Sequence, residues 1–390
     1  MRNINLLIPG DFPPIVSGIA TYFYEIWKKL PDGNRVIIAS RRKSSSQIDR
    51  HYPHKIFRVN IPDGNQLRQK ITKGIIYLYW AMKMHLKHRI KILHCGQILS
   101  SGVAGWCLNK LFKVPYVVYI YGSETLRFGS TPLLKNLLKI FAQNSNYLIA
   151  NSNFTKDEYI RFGIPSQKIK VITPGVDTNR FCPKPRNKKI ADKYNLHGKI
   201  VLLTVGRLDE RKGHDKVIEA ISILKNRYNN LVYLIVGDGR EKKKLQELAE
   251  TLGVRKRVIF VGFVPDNELP KYYNLCDIFI LLNRQTEANK QLRGDYEGFG
   301  IVFIEASACG KPVIAGNFGG IYDAVENGYG GLIINPIDTA EITKTIQLLI
   351  ENRELRETLS QNGLERVKKQ FTLERKAEQI LEIEKEISDG

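Results

Sequence analysis

Long apolar runs are scarce in this 390-residue chain. The longest, such as "KIVLLTVG" and "NLVYLIVG", fall far short of the ~20 residues that a helical bilayer span requires, so no transmembrane helix is expected. The start, "MRNINLLIPGDFPP", lacks the extended apolar core and small-residue cleavage site of a secretory signal, which predicts a cytoplasmic protein. Cysteine is sparse as well. Cys95, Cys107, Cys182, Cys276 and Cys309 form no C-x-x-C pair, which excludes a regular disulfide framework and predicts reduced, structural thiols. The seven histidines show no zinc-ligand spacing. A G-x-x-x-x-G-K-[ST] phosphate loop is absent, and "GDGREKKK" lacks the third glycine of a dinucleotide fingerprint, so ATPase and dehydrogenase readings lose ground.

Negative charge is scarce in one half only. Up to residue 185 there are 28 Lys and Arg against 9 Asp and Glu, while the remainder is nearly balanced; the whole chain carries a formal +21. This asymmetry points to an anionic partner for the first half, whether nucleic acid, a phospholipid surface or a phosphorylated acceptor, with plain solubility as the bland alternative. Within that half, "LRQKITKGIIYLYWAMKMHLKHRIK", residues 67 to 91, interleaves basic residues with Ile75, Ile76, Leu78, Tyr79, Trp80, Met82 and Leu86. Drawn as a helix, it suits the headgroup region of a membrane and a buried position against a sheet equally well, because periodicity cannot separate the two.

What is present is a rhythm of short β-branched runs separated by helical segments. "NINLLIPG", "RVIIAS", "KILHC", "YVVYIYG" and "YLIANS" read as strands, with "GIATYFYEIWKKL" as a helix among them. After "FCPKPRNKK", whose Pro and Lys content reads as a linker, come "KIVLLTVG", "LVYLIVG", "VIFVGFV", "DIFILL", "KPVIAG" and "GGLIIN". The expected fold is α/β: two doubly wound Rossmann-like domains, residues 1–183 and 184–371, facing across an interdomain cleft. The terminal "FTLERKAEQILEIEKEI" reads as one long helix, 372–390, that packs back on the first domain.

No D-x-D occurs, so the carboxylate pair that often holds a metal–diphosphate is missing and a metal-free way of gripping phosphate is expected. "VGRLDERKGHD" offers one: Arg207 and Lys212 follow directly from a strand, with Gly206 and Gly213 letting backbone approach a ligand. A solvated loop is the alternative for that cluster taken alone. In "DYEGFGIVFIEASACGKPVIAG", a glycine turn leads into a helix whose first amides would face an anion, with Glu297 at the entrance and Glu305 two turns into the helix. Carboxylates so spaced suit two hydroxyl-bearing portions of one ligand.

E-x7-E as "EGFGIVFIE", together with "GRLDERKG", "VITPGVD", "VGDG", "VGFVPDNELPKYYNLCDIFIL" and "GGIYDAVENGYGGLI", resembles in order and spacing the retaining glycosyltransferases of family 4, which have the GT-B fold. "PGDFPPIVSGIATYFYEI" looks like that family's N-terminal loop and helix, so the resemblance covers nearly the whole chain. It implies that Glu305 binds the nucleotide ribose and Glu297 the donor sugar's hydroxyls, with backbone amides from Phe299, Gly300 and Ile301. Arg207 and Lys212 would bind the diphosphate and stabilise the departing nucleotide, Gly18 would face the same phosphates, and the segment around Val264 would touch the base. No cofactor or metal is implied beyond the nucleotide sugar itself.

One position departs from the family pattern. Tyr121, in "YVVYIYGSE", stands where a histidine is common, and Tyr121 with Glu124 is either an acceptor-side pair or plain structure. His94, in "ILHCG", reads as a strand end. The resemblance implies metal-independent transfer with retention, in which the nucleotide phosphate itself receives the acceptor proton. Sequence likeness leans to GDP-mannose as donor, with UDP-glucose or UDP-N-acetylglucosamine and a soluble acceptor as the alternative. The basic half favours a lipid-linked or cell-surface glycan acceptor and a peripheral position at the inner face of the plasma membrane. A basic nucleic-acid-binding protein would account for the charge but not for the glutamate spacing, and no nucleic acid is expected as partner. An inverting enzyme or a sugar-nucleotide epimerase is the other rival.

Overall fold

The computed structural model describes residues 3–31, 33–62, 64, 67–128, 131–286 and 296–389. It divides into two compact units, Met1–Gly175 with Leu373–Gly390, and Val176–Thr372.

The first unit is built on β1 (Ile4–Ile8), β2 (Arg35–Ser40), β3 (Lys55–Val59), β4 (Ile90–Cys95), β5 (Tyr116–Ile120), β6 (Tyr147–Ala150) and β7 (Ile169–Val171). They form one sheet in the order β3-β2-β1-β4-β5-β6-β7, every pairing parallel. Parallel strands covered on both faces need apolar side chains on both, which is why β5 reads "YVVYI" with no residue exposed. One face packs helices Leu67–Lys87, Ser101–Phe112 and Pro132–Asn144 through Tyr77, Ala81, Leu108 and Leu138. The other packs helices Gly18–Lys29 and Leu373–Asp389 through Phe23, Trp27, Ala377 and Ile380. Burying a side chain such as Phe23 contributes about 1.5–3 kcal/mol.

Two strands escape a reading based on apolar runs. β3, "KIFRV", has a half-exposed pattern and β7, "IKV", is three residues long, and both stand at sheet edges where less apolar character is needed. The C-terminal helix is tied down by charge as well as packing. Arg35 at the start of β2 donates to both carboxylate oxygens of Glu384 at 2.6 and 2.7 Å, and His94 Nε2 lies 3.1 Å from the same group. Burial alone would raise the Glu384 carboxyl, but Arg35 and His94 outweigh it and hold it at about 2. His94, at the end of β4, thus faces a helix nearly 300 residues further along the chain.

The second unit has β8 (Ile200–Val205), β9 (Leu231–Val236), β10 (Val258–Gly262), β11 (Ile278–Leu281), β12 (Val313–Gly316) and β13 (Gly331–Ile334), ordered β10-β9-β8-β11-β12-β13 and parallel throughout. Both sheets place strands on either side of their first strand, so each has a point of order reversal: β1/β4 in one, β8/β11 in the other. At such points the connections leave in opposite directions and open a crevice at the strands' carboxyl ends. The segment "FCPKPRNKK" is strapped onto the second unit rather than free: Phe181 is in its core, Lys184 N donates to Asn274 Oδ1 at 2.8 Å, and Arg186 pairs with Asp277 at 2.6 Å. No helix among the described residues is long and apolar enough to cross a membrane.

Candidate active site

In the second unit, the chain leaves β8 through Gly206 and Arg207, makes a short 3-10 turn over Glu210–Lys212, and enters helix His214–Leu224. Gly213 joins turn to helix at φ +69°, and a Cβ there would stand 2.4 Å from the carbonyl oxygen of Leu282, just past β11. Arg284 holds the two loops together: its backbone N–H donates to Arg211 O at 2.9 Å and its Nη2 to Asp215 Oδ2 at 2.8 Å. The turn bearing Arg211 and Lys212 is thereby fixed at the β8/β11 reversal.

Lys212 Nζ donates to Glu297 Oε2, and Arg211 Nη1 reaches the same oxygen at 3.2 Å. All three side chains are largely buried, at 9%, 10% and 17% exposure, so the attraction is poorly screened by water. Burial would raise the Glu297 carboxyl; Lys212 and Arg211 overcome this and lower it to about 2. The Lys212 ammonium is itself lowered, by burial first and by its cationic neighbours, while Glu297 opposes the shift. The main chain of Glu297 is fixed by Gly320 N–H, which donates to Glu297 O at 2.8 Å.

Helix Ile301–Ala308 follows, entered through Gly300 at φ +89°. No side chain among the described residues caps it, so its first amides retain their capacity to meet an anion. Glu305 lies just over one turn inside, not two, because the helix begins at Ile301 and one turn takes ~3.6 residues. It is 5% exposed and accepts a hydrogen bond from Tyr273 Oη at 2.7 Å. Burial pushes its carboxyl up to about 8; the Tyr273 hydrogen bond and nearby Arg180 oppose this, and Asp266 adds to it. Phe299 packs its ring against Phe371 and is buried; Val264 is likewise buried, while its neighbour Phe263 is 65% exposed past β10. Arg207 stands apart from the buried cluster, 68% exposed and paired with Asp209 at 3.1 Å.

The first unit has its own cavity at the β1/β4 reversal, of about 160 Å³, lined by Asp11, Ile19, Lys70, Gln97, Tyr121 and Glu124 among others. Tyr121 N–H donates to both Glu124 carboxylate oxygens at 3.3 Å. Its own hydroxyl is buried without a hydrogen-bond partner among the described residues, and burial raises both groups, the Tyr121 phenol strongly. Gly18 begins helix Gly18–Lys29 behind Ser17, whose Oγ accepts from Ala20 N–H at 3.1 Å; a Cβ on Gly18 would meet no atom within 4 Å, so packing does not explain a glycine there.

Lys212 and Glu297 are therefore in direct contact, and Tyr121 and Glu124 are in direct contact in the other unit. Sequence reasoning missed Arg211 and Tyr273. Arg211 carried a signal, since "DERKG" sets a second cation beside Lys212. Tyr273 carried none, being one of two adjacent tyrosines in the short helix Leu269–Tyr273, 32 residues from its partner. Among the described residues no group of three His, Cys, Asp or Glu is placed to hold a metal ion.

Residues 16–180 match the model of Glycosyltransferase Family 4 and residues 186–366 that of Glycosyl transferases group 1. The chain is 28% identical over 346 residues to the GDP-mannose-dependent alpha-(1-6)-phosphatidylinositol monomannoside mannosyltransferase of Mycolicibacterium smegmatis, covering 87% of each. It is 29% identical over 410 residues to the mannosylfructose-phosphate synthase of Agrobacterium fabrum, covering 95% of this chain and 87% of that one. Among solved structures, an Anabaena protein crystallised with UDP superposes with a TM-score of 0.80 at 20% identity, covering 98% of this chain and 99% of that one. With two family models tiling the sequence and two parallel α/β sheets behind them, this chain belongs to the GT-B glycosyltransferases, a family 4 domain followed by a group 1 domain.

Proposed function

We propose that the protein moves a hexose from a nucleotide-diphosphate sugar, with GDP-mannose favoured, to a lipid-linked or cell-surface glycan acceptor, with retention and without a metal. The observation that carries this is the convergence of Lys212 and Arg211 on Glu297 at the β8/β11 reversal, directly before an uncapped helix that bears Glu305. Two buried cations supply the charge that a metal ion would otherwise bring to a diphosphate. When donor binds, Lys212 turns to the diphosphate with Arg207, and Glu297 accepts from hexose hydroxyls. Backbone amides of Phe299, Gly300 and Ile301 meet sugar and phosphate, Glu305 meets the ribose, and the Val264 segment meets the base.

The bond from the anomeric carbon to the β-phosphate oxygen breaks with its electron pair leaving on that oxygen. The acceptor hydroxyl oxygen bonds the same carbon on the same face, and its proton ends on the nucleotide diphosphate. Tyr121 and Glu124 belong to the acceptor side. The GDP-mannose dependence in the name of the Mycolicibacterium smegmatis relative, which aligns with 87% of this chain, supports the lean to GDP-mannose, and the basic first half supports a membrane-borne acceptor at the inner face of the plasma membrane.

The test is a thermal-shift screen with GDP-mannose, UDP-glucose, UDP-N-acetylglucosamine and the parent diphosphates in EDTA. A donor at ~100 times its Kd stabilises by about 2.7 kcal/mol, so a selective rise with GDP-mannose is expected. A shift that appears only with UDP sugars, or only after adding magnesium, overturns the donor or the metal-free part respectively.

A further inference from the structure

We infer that three neighbouring helices of the first unit together form a docking face for an anionic phospholipid bilayer. Helices Leu67–Lys87, Ser101–Phe112 and Pro132–Asn144 lie side by side on one face of the seven-stranded sheet, with Ser101–Phe112 in the middle. Their inward sides are already satisfied by Tyr77, Ala81, Met84, Leu108, Leu138 and Phe141. Helix Leu67–Lys87 nevertheless has a second apolar stripe, facing out: Ile71, Ile75 and Tyr79 recur every fourth residue at 56%, 63% and 60% exposure, and Leu86 extends it. The other two helices continue the pattern with Leu111, Phe112, Leu133 and Ile140. The rings of His85 and Phe112 lie 4.8 Å apart and join the first two helices at their outer ends.

The charge on this layer has one sign. None of the residues in the three helices is Asp or Glu, and between Gly64 and Lys156 the only acid is Glu124, which lines the Tyr121 cavity. Solvated helix faces mix both signs, and solubility gives no reason to expose isoleucine, leucine and tyrosine. Aliphatic and aromatic side chains set among lysines are what a headgroup region accepts, with the apolar ends inserted and the ammonium groups on lipid phosphates. Nucleic acid would use the lysines and leave the apolar stripe without a role. This deepens the membrane-borne acceptor reading and rests on it for its purpose, though its test requires no turnover.

The test is co-sedimentation of the full chain with phosphatidylglycerol/phosphatidylcholine vesicles and with phosphatidylcholine alone. Binding is expected to the former, and to weaken with salt. A lysine near an anionic leaflet is worth about fivefold, so Lys87→Gln, Lys110→Gln and Lys135→Gln together should weaken it by about a hundredfold. These three are exposed, so the variant keeps its fold even where an aliphatic exchange does not. Leu111→Ser with Leu133→Ser should weaken binding at least tenfold without touching helix Leu67–Lys87. Absence of binding by the unaltered chain, or unchanged binding by the variants of the second and third helices, overturns the proposal. So does a dimer abolished by the same substitutions, or duplex DNA displacing the vesicles. A donor-induced thermal shift measured on the same samples separates the two readings. Vesicle binding without a shift sinks only the nucleotide-sugar assignment; a shift without vesicle binding sinks only the docking face.

Discussion

The two units order their first six strands alike and pair them all in parallel, yet they handle charge in opposite ways. In the second unit the critical charges are buried and opposed: Lys212 and Arg211 against Glu297, Arg284 against Asp215. In the first, an ion group of Arg35, His94 and Glu384 is likewise buried, but the outer helical layer leaves its positive charge unbalanced and exposed. A buried, partnered charge must be held in one geometry, which suits recognition of a small ligand. An exposed field of one sign acts at longer range and without fixed geometry, which suits a surface. The same fold thus serves as a precise grip in one copy and a diffuse one in the other.

The largest expected effect lies where a buried pair is broken. Arg35→Ala removes both guanidinium hydrogen bonds from the buried Glu384 and leaves it only His94; it should destabilise the first unit by about 3–5 kcal/mol, read by urea unfolding, and a change under 1 kcal/mol would mean that His94 or water suffices for Glu384. Next is Lys212→Ala, expected to lower kcat/KM for transfer by ~10²–10³, as loss of a group facing developing charge does. Tyr121→Phe in the first unit's cavity should cost less than ~10-fold, since its hydroxyl has no partner within the described protein to lose. The reverse order would move the chemistry to the first unit.

A different kind of effect concerns pH. Glu305 in the folded protein titrates at about 8 against an ordinary 4.5, so the folded state holds a proton that the unfolded chain has released. Its contribution is full below about 4.5 and is lost as pH rises towards 8. Donor-free protein should therefore lose stability over that window, and Glu305→Gln should flatten the slope; identical pH profiles for the two would show that Glu305 is ionised in the folded state. The smallest effect is expected for Ile75→Ser. At 63% exposure it should change stability by no more than about 0.5 kcal/mol, whereas Tyr77→Ala, two residues away and 1% exposed, should cost about 3–5 kcal/mol.

Legibility followed the range of the interaction. Strands β8 to β13 are readable as apolar runs because none of them, the edge strands β10 and β13 included, has an exposed residue, and the β8 loop and the glutamate segment are readable because their spacing is local. Edge strands β3 and β7 fade because half their surface meets no core. The "FCPKPRNKK" segment reads as a linker by composition, and is packed because Phe181, Lys184 and Arg186 find partners some 90 residues away.

By itself the sequence determined the alternation of strand and helix, the spacing of Lys212, Glu297 and Glu305, and the excess of positive charge in one half. Each is set by residues close along the chain, where periodicity and composition carry the information. Only the tertiary structure decided that Arg211 shares Glu297 with Lys212, that Tyr273 donates to Glu305, that Glu384 seats against Arg35, and that helix Leu67–Lys87 has one apolar side in the core and another in solvent. Those outcomes depend on which distant element arrives at a given face, and a side chain's own neighbours in sequence say nothing about that.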